Sequence, residues 1–164
     1  MKTLYLIGGP MGVGKTTVCR ELQKTLPDCV FLDGDWCWDM RPFVVSAETK
    51  ELVLDNICHC LNNFLRCAQF QNILFCWVLH EQAIIDTILA RLDGADCRVV
   101  CVSLICDRAA LTARLTKDIA EGRRESDILS RSLARLPMYR EVSTIQIDTT
   151  DQTPRETAES ITAL

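Results

Sequence analysis

Gly9-Pro10-Met11-Gly12-Val13-Gly14-Lys15-Thr16 satisfies every fixed position of the pattern G-x-x-x-x-G-K-[ST]. An apolar run, Leu4 to Ile7, leads into it, and helical spacing through Val18, Leu22 and Leu26 leads out, so the order is strand, loop, helix. Glycines free the backbone to turn its N–H groups inward around a phosphate chain, and the helix N-terminus adds favourable partial charge there. Lys15 can bridge toward a γ-phosphate and the Thr16 hydroxyl can ligate Mg²⁺. A turn that only joined a strand to a helix would need neither side chain at that spacing. Met11, Gly12, Val13, Gly14, Lys15, Thr16 and Thr17 are therefore the candidate cofactor-binding residues, and ATP with Mg²⁺ the expected cofactors.

Outward from the loop, strand-type runs recur at Cys29–Leu32, Ile73–Leu79, Val99–Ile105 and Thr144–Ile147, with little alternation. Near-continuous apolar strands belong to a sheet buried on both faces. Between them lie apolar stripes at helical spacing: Leu54 to Leu65, Ile84 to Leu92, Leu111 to Ile119 and Leu129 to Leu136. Thr153, Pro154 and Glu156 announce a last helix with an N-cap, a first-turn proline and a capping box. The expected fold is three-layer α/β/α with a five-stranded parallel sheet. No linker or repeat interrupts residues 1–164, which are read as a single domain.

Composition narrows the function. The net charge of −4 is spread out, and most of the arginines fall in the last third without forming a basic run, so duplex nucleic acid is a poor partner. No apolar run approaches the ~20 residues that span a bilayer. The N-terminus turns polar and glycine-rich after a handful of apolar positions, which argues against a signal peptide and for a cytoplasmic protein. Ten cysteines sit largely at apolar positions of the expected elements, Cys76, Cys101 and Cys106 among them, as small buried hydrophobes of a reducing compartment. Cys58-His59-Cys60 lacks a second ligand pair at metal-site spacing, and neighbours on a helix point apart.

Phe31-Leu32-Asp33-Gly34-Asp35 closes the second strand with two carboxylates. In an open parallel sheet the crevice lies beyond the carboxyl ends of the strands, so both acids should face the glycine-rich loop. Asp33 is the candidate for a water-mediated metal shell, beside Thr16. Asp35 is the candidate that orients or deprotonates an acceptor. A polar turn capping the strand is the plainer account of the same residues. No Asn-Lys-x-Asp, Thr-Lys-x-Asp or Asp-x-x-Gly string occurs, which disfavours a signalling GTPase. A mechanical or AAA-type ATPase would normally end a later strand in an acidic pair, whereas the third ends in His80-Glu81.

With the loop, the Asp-Gly-Asp, Leu111-Thr112-Ala113-Arg114-Leu115, Gly122-Arg123-Arg124, Arg135-Leu136-Pro137-Met138-Tyr139 and Ile147-Asp148-Thr149-Thr150 in place, the sequence resembles the P-loop nucleotide and small-molecule kinases. That group contains adenylate, shikimate and gluconate kinases and chloramphenicol phosphotransferase. The resemblance implies a short lid at about residues 117–130, Arg114 stacked on adenine, Arg123 and Arg124 closing on the phosphates, and Arg135 meeting phosphate or a substrate anion. It also implies that the loop after Asp148, with Thr150, edges the adenine. Arg123 and Arg124 also fit a solvated pair at a helix end. The motifs of shikimate kinases after the second and third strands are missing, and Trp36-Cys37-Trp38 does not match a sugar-acid site. Trp36, Arg41 and His80, with Asp35 and Arg135, are the candidate substrate contacts, and the aromatic residues suit a flat acceptor.

The leading expectation is an ATP-dependent phosphotransferase acting on a small-molecule acceptor, a nucleoside, nucleotide or hydroxylated natural product. Lys15, Asp35, Arg123 and Arg124 are its candidate catalytic residues. The alternative is a non-catalytic ATP-binding sensor whose ordered lid is read by a partner.

Overall fold

The computed structural model describes residues 1–93 and 96–164. β1 (Lys2–Gly8) is buried along most of its length and lies at the centre of the sheet, because it pairs on one side with β3 (Asn72–Cys76) and on the other with β4 (Cys97–Ile105). β2 (Cys29–Asp33) adds outside β3 and β5 (Ile145–Asp148) outside β4, giving the order β2-β3-β1-β4-β5 with every pairing parallel. The chain leaves β1 toward one edge and crosses back over it from β3 to β4. The switch in direction therefore opens a crevice at the carboxyl end of β1, where the glycine-rich loop begins.

Among the described residues, six α-helices cover the sheet: α1 (Lys15–Thr25), α2 (Ala47–Arg66), α3 (Gln82–Ala90), α4 (Arg108–Ala120), α5 (Ile128–Arg135) and α6 (Pro154–Thr162). Val18, Cys19 and Leu22 of α1, Leu111 and Leu115 of α4, and Ala158 and Ile161 of α6 bury one face together with Ile7 and Val102. Ile57 and Leu61 of α2 and Ile85 and Ile88 of α3 bury the other with Leu4, Leu6 and Phe75. The expected three layers and five parallel strands are present. Cys58, next to the stripe, is buried in this second core, and all ten cysteines are free thiols. Among the described residues, no helix is long and apolar enough to cross a membrane.

Three boundaries differ from the sequence reading, each for a local reason. The third strand stops at Cys76 rather than Leu79, because Leu79 takes a left-handed φ of 41° that ends the extended run. α5 ends at Arg135, and Leu136–Arg140 tightens into a 3-10 turn, since Pro137 supplies no N–H to continue the α ladder. α2 starts at Ala47, a full two turns before its first expected apolar residue, because Ser46 and Thr49 form a reciprocal cap with bonds of 3.1 and 2.8 Å.

The capping box expected at α6 is formed: Thr153 Oγ1 accepts from the Glu156 N–H at 3.2 Å, and Glu156 accepts from the Thr153 N–H at 2.8 Å. Thr153→Ala should lower stability by about 1 kcal/mol in urea unfolding. A loss within error would mean that packing of Ala158 and Ile161 alone fixes the helix.

Candidate functional site

The loop after β1 holds its carbonyls down from several directions. Lys15 Nζ donates to Gly9 O at 2.8 Å and Pro10 O at 3.1 Å, Ser132 Oγ of α5 to Met11 O at 2.6 Å, and Arg114 Nη1 of α4 to Val13 O at 3.2 Å. The Gly9 N–H donates to Val78 O at 3.5 Å and the Val13 N–H to Pro10 O at 3.3 Å, while the Met11, Gly12 and Gly14 N–H groups have no acceptor among the described residues. Gly14 sits at the N-cap of α1 with φ 107°, and no side chain caps the first turn. The N–H groups of Lys15, Thr16 and Thr17 therefore have no acceptor within the helix. At Gly12, with φ 85°, an added Cβ would lie 2.5 Å from Leu115 Cδ2, so the close approach of α4 excludes a side chain there.

Across from the loop, Asp33 is buried and uses both carboxylate oxygens. Oδ2 accepts from the Thr16 hydroxyl at 2.7 Å and Oδ1 from the Asp35 N–H at 3.1 Å. This second bond opens a 3-10 turn at Gly34–Trp38 and places Asp35 in the mouth of the crevice. Thr16 and Asp33, the expected metal pair, are thus joined by a hydrogen bond, and both present oxygen donors. Desolvation by the surrounding walls, then repulsion from Asp33, raises the Asp35 pKa above the ordinary aspartate value, opposed by Lys15, Arg124 and the neighbouring Trp77. The same enclosure lowers the Lys15 pKa, with Cys76 and the two aspartates opposing and Arg124 reinforcing the shift. Lys15, Asp33, Asp35 and Arg124 therefore share one electrostatic environment.

The remaining candidates fall in different places. Arg124 and Arg123, beyond α4, hang on one carboxylate: Arg124 Nε reaches Asp118 Oδ2 at 3.2 Å and Arg123 Nη1 reaches Asp118 Oδ1 at 3.1 Å. Arg123 is also paired with Glu121. Arg114 is built into the scaffold, since besides Val13 it donates to Thr149 Oγ1 at 3.0 Å and Thr149 O at 2.6 Å. It thus ties the loop after β5 to the glycine-rich loop. Thr150 stands next to this joint, its hydroxyl donating to Asp148 at 2.6 Å and accepting from the Asp107 N–H at 2.9 Å.

His80 follows the left-handed Leu79 in the turn beyond β3, a conformation costing ~1–3 kcal/mol that the surroundings impose. Tyr139, fully buried, holds this turn by donating to Val78 O at 2.5 Å. Burial and then the Arg135 charge lower the His80 pKa, opposed by Glu81, so the ring is neutral at pH 7. Arg135 is thereby placed beside His80. Trp36, in contrast, lies against Phe31 at 5.3 Å, under the Arg20 guanidinium at 5.7 Å, over α1 and apart from the other tryptophans. Arg41 is exposed in the segment that follows. The aromatic wall near Asp35 is instead made by Trp38 and Trp77, 6.2 Å apart, with Phe43 at 5.8 Å from Trp38. Gly34 allows this, since a Cβ there would be 2.5 Å from Trp77 Cγ.

A family profile described as an AAA domain matches residues 6–134, most of the chain. The chain belongs to the AAA domain family. The acidic pair with which a mechanical or AAA-type ATPase would normally end a later strand is missing, for β3 runs into Trp77, Val78, Leu79 and His80. No curated protein matches the sequence. Solved structures match over nearly their whole lengths. The tunicamycin resistance protein of Deinococcus radiodurans aligns with a TM-score of 0.71 at 21% identity, covering 99% of this chain and 95% of its own. A gluconokinase from Sinorhizobium meliloti 1021 gives 0.70 at 17%, covering 98% and 90%. Shikimate kinase from Acinetobacter baumannii, in complex with shikimate, gives 0.64 at 24%, covering 99% and 91%. The family member described here thus has the P-loop NTPase fold of these kinases.

Sequence reasoning assigned no role to Ser132, Asp118, Thr149, Trp38, Trp77 or Tyr139. Trp38 and Trp77 lay in aromatic runs, and Thr149 and Tyr139 in stretches that carry the family resemblance, but Ser132 and Asp118 had no local signal. These two act through contacts outside their own helices. The joint made by Arg114 yields a test: Arg114→Ala should cost about 2 kcal/mol in urea unfolding without any nucleotide, since charge-assisted bonds to three half-buried acceptors are lost. Wild-type stability would assign this arginine to a ligand alone.

Proposed function

We propose that the chain is an ATP-dependent phosphotransferase that moves the γ-phosphoryl group to a small-molecule acceptor. The observation that carries this reading is the Thr16 to Asp33 bond of 2.7 Å, which joins the loop to the strand end that bears Asp35. In one line stand a phosphate cradle, an oxygen pair fit for Mg²⁺ and a carboxylate at the crevice mouth. Support comes also from the gluconokinase and shikimate kinase folds, which share this architecture.

In this reading Met11, Gly12, Val13, Gly14, Lys15, Thr16 and Thr17 hold the polyphosphate through main-chain N–H groups and the Lys15 ammonium. Mg²⁺, when bound, neutralises phosphate charge beside Thr16 and Asp33. Asp35 accepts a hydrogen bond, and then the proton, from the acceptor hydroxyl. Residues 117–130 act as a lid on a single domain spanning 1–164. Lid closure brings Arg124, and with it Arg123, to the transferred group, where a guanidinium offsets the charge on the phosphoryl oxygens and excludes water. Arg114 and Thr150 flank the adenine, and Arg135, His80, Trp36 and Arg41 are the acceptor-side candidates. Free thiols and ATP are both at home in the cytoplasm, the compartment this reading assigns.

Lys15→Ala should keep the fold by circular dichroism and lose about 10²–10³ in kcat, as when one transition-state donor is removed. Ionised Asp35 carries the reaction, so kcat/KM should be full above its raised pKa and fall as the pH drops through it, above the ~3.9 of an ordinary aspartate. Asp35→Asn should remove that acid limb and reduce kcat by about 10²–10⁴. Unchanged acceptor-dependent turnover in Asp35→Asn would favour a sensor in place of an enzyme.

A further inference from the structure

Hydroxyls inside a helix often bond to the carbonyl one turn back, and this chain follows that habit. Thr87 Oγ1 donates to Ala83 O at 2.6 Å, Thr112 Oγ1 to Arg108 O at 2.7 Å and Ser160 Oγ to Glu156 O at 3.0 Å. Ser132 of α5 does not. Its hydroxyl donates out of the helix, to Met11 O of the glycine-rich loop at 2.6 Å. Ser132 is fully buried, so it has no water to bond in place of that carbonyl.

Ser132 lies just after residues 117–130, and Arg114 lies just before them. Arg114 Nη1 donates to Val13 O at 3.2 Å, and Leu115 packs so closely on Gly12 that a Cβ there would be 2.5 Å from Leu115 Cδ2. Both roots of that segment are thus fastened to consecutive loop residues, Met11, Gly12 and Val13. Val13, Leu115 and Ile128 share one buried core, with Met11 and Leu133 packed against it. The far end of the segment is different, for Arg123 and Arg124 are held by partly exposed ion pairs with Asp118 and Glu121, which break at little cost. Close packing passes a displacement on where a loose contact would absorb it. The Met11 carbonyl and the Gly12 N–H belong to one peptide, so a phosphate that draws in the N–H turns the carbonyl too, and Ser132 must follow or lose its bond.

We propose that Ser132 is a positioning residue that couples the seating of a nucleotide in the glycine-rich loop to the closure of the lid. This deepens the phosphotransferase reading and rests on it and on its lid at residues 117–130. Ser132 acts through Met11, without touching the reacting groups. It holds the Met11–Gly12 peptide with the Gly12 N–H free for phosphate. When a nucleotide settles there, the same bond draws α5, and with it the segment that bears Arg123 and Arg124, toward the phosphates. Arg114 is the matching anchor at the other root.

The test joins calorimetry with Mg·ATP to the rate at which trypsin cuts after Arg123 and Arg124, followed by mass spectrometry on the full chain. In the wild type, saturating Mg·ATP should slow those cuts by about 10-fold, the scale on which two sites couple. Ser132→Ala should weaken Mg·ATP binding by about 10-fold, one hydrogen bond being lost, and at saturating nucleotide should show less than about 2-fold protection. A serine that only stabilised the fold would lower the unfolding temperature and leave protection at saturation whole. That result would overturn the inference and leave the phosphotransferase reading intact. Should Ser132→Ala not fold, the wild type supplies the second measurement. Mg·ADP fills the loop without a γ-phosphate for the arginines to meet, and hydrogen exchange of the α5 amides should slow by about 5-fold when it binds. Unchanged exchange in α5 with Mg·ADP bound would overturn the inference. Mg·ATP bound to the wild type with trypsin unimpeded would overturn the lid and the inference together. No heat from Mg·ATP with the wild type would overturn the phosphotransferase reading itself, and the inference with it.

Discussion

The fold's whole functional arrangement depends on where the carbonyls of one short loop are pulled. Backbone N–H and C=O groups point in opposite directions across each peptide, so engaging the Pro10, Met11 and Val13 oxygens with side-chain donors turns the Met11, Gly12 and Gly14 N–H groups away from those donors. The donors come from three separate helices, α1, α4 and α5. A loop of glycines would otherwise wander among many conformations. It is the tertiary structure that pre-organises the cradle, and electrostatic pre-organisation of this kind is the main source of catalytic power in phosphoryl transfer.

The same fastening links the cradle to the rest of the crevice. Asp33 joins Thr16 to the turn that carries Asp35, and Arg114 joins Val13 to Thr149 beyond β5. A nucleotide bound along this line would touch the ends of β1, β2 and β5 at once. Arg124 is not fastened in the same way. It is exposed, and it is held to Asp118 by a pair worth little in water, so moving it toward a phosphate carries a small penalty. Rigid cradle and loosely held arginine are the two halves of the proposed lid mechanism.

The sheet and the loop were readable because they depend on local pattern. Apolar runs such as Leu4–Ile7 and Val99–Ile105, and the fixed spacing from Gly9 to Thr16, require no partner to be recognised. The capping box at Thr153 was legible for the same reason, while the one at Ser46 went unseen because threonine stands at its third position in place of glutamate. Roles set by distant partners were not readable. Trp36 and Trp38 are two residues apart, yet the 3-10 turn sends the first over α1 and the second against Trp77. Ser132 reaches Met11 across 121 positions, and no local spacing encodes such a contact.

The central claim is that the inward amides between Met11 and Thr17 grip the polyphosphate of a nucleotide. Isothermal titration of the folded protein with Mg·ATP measures this directly. The account predicts a saturable heat with one site per chain. Absence of heat with ATP and with every other nucleoside triphosphate, from protein whose circular dichroism shows it folded, would contradict it.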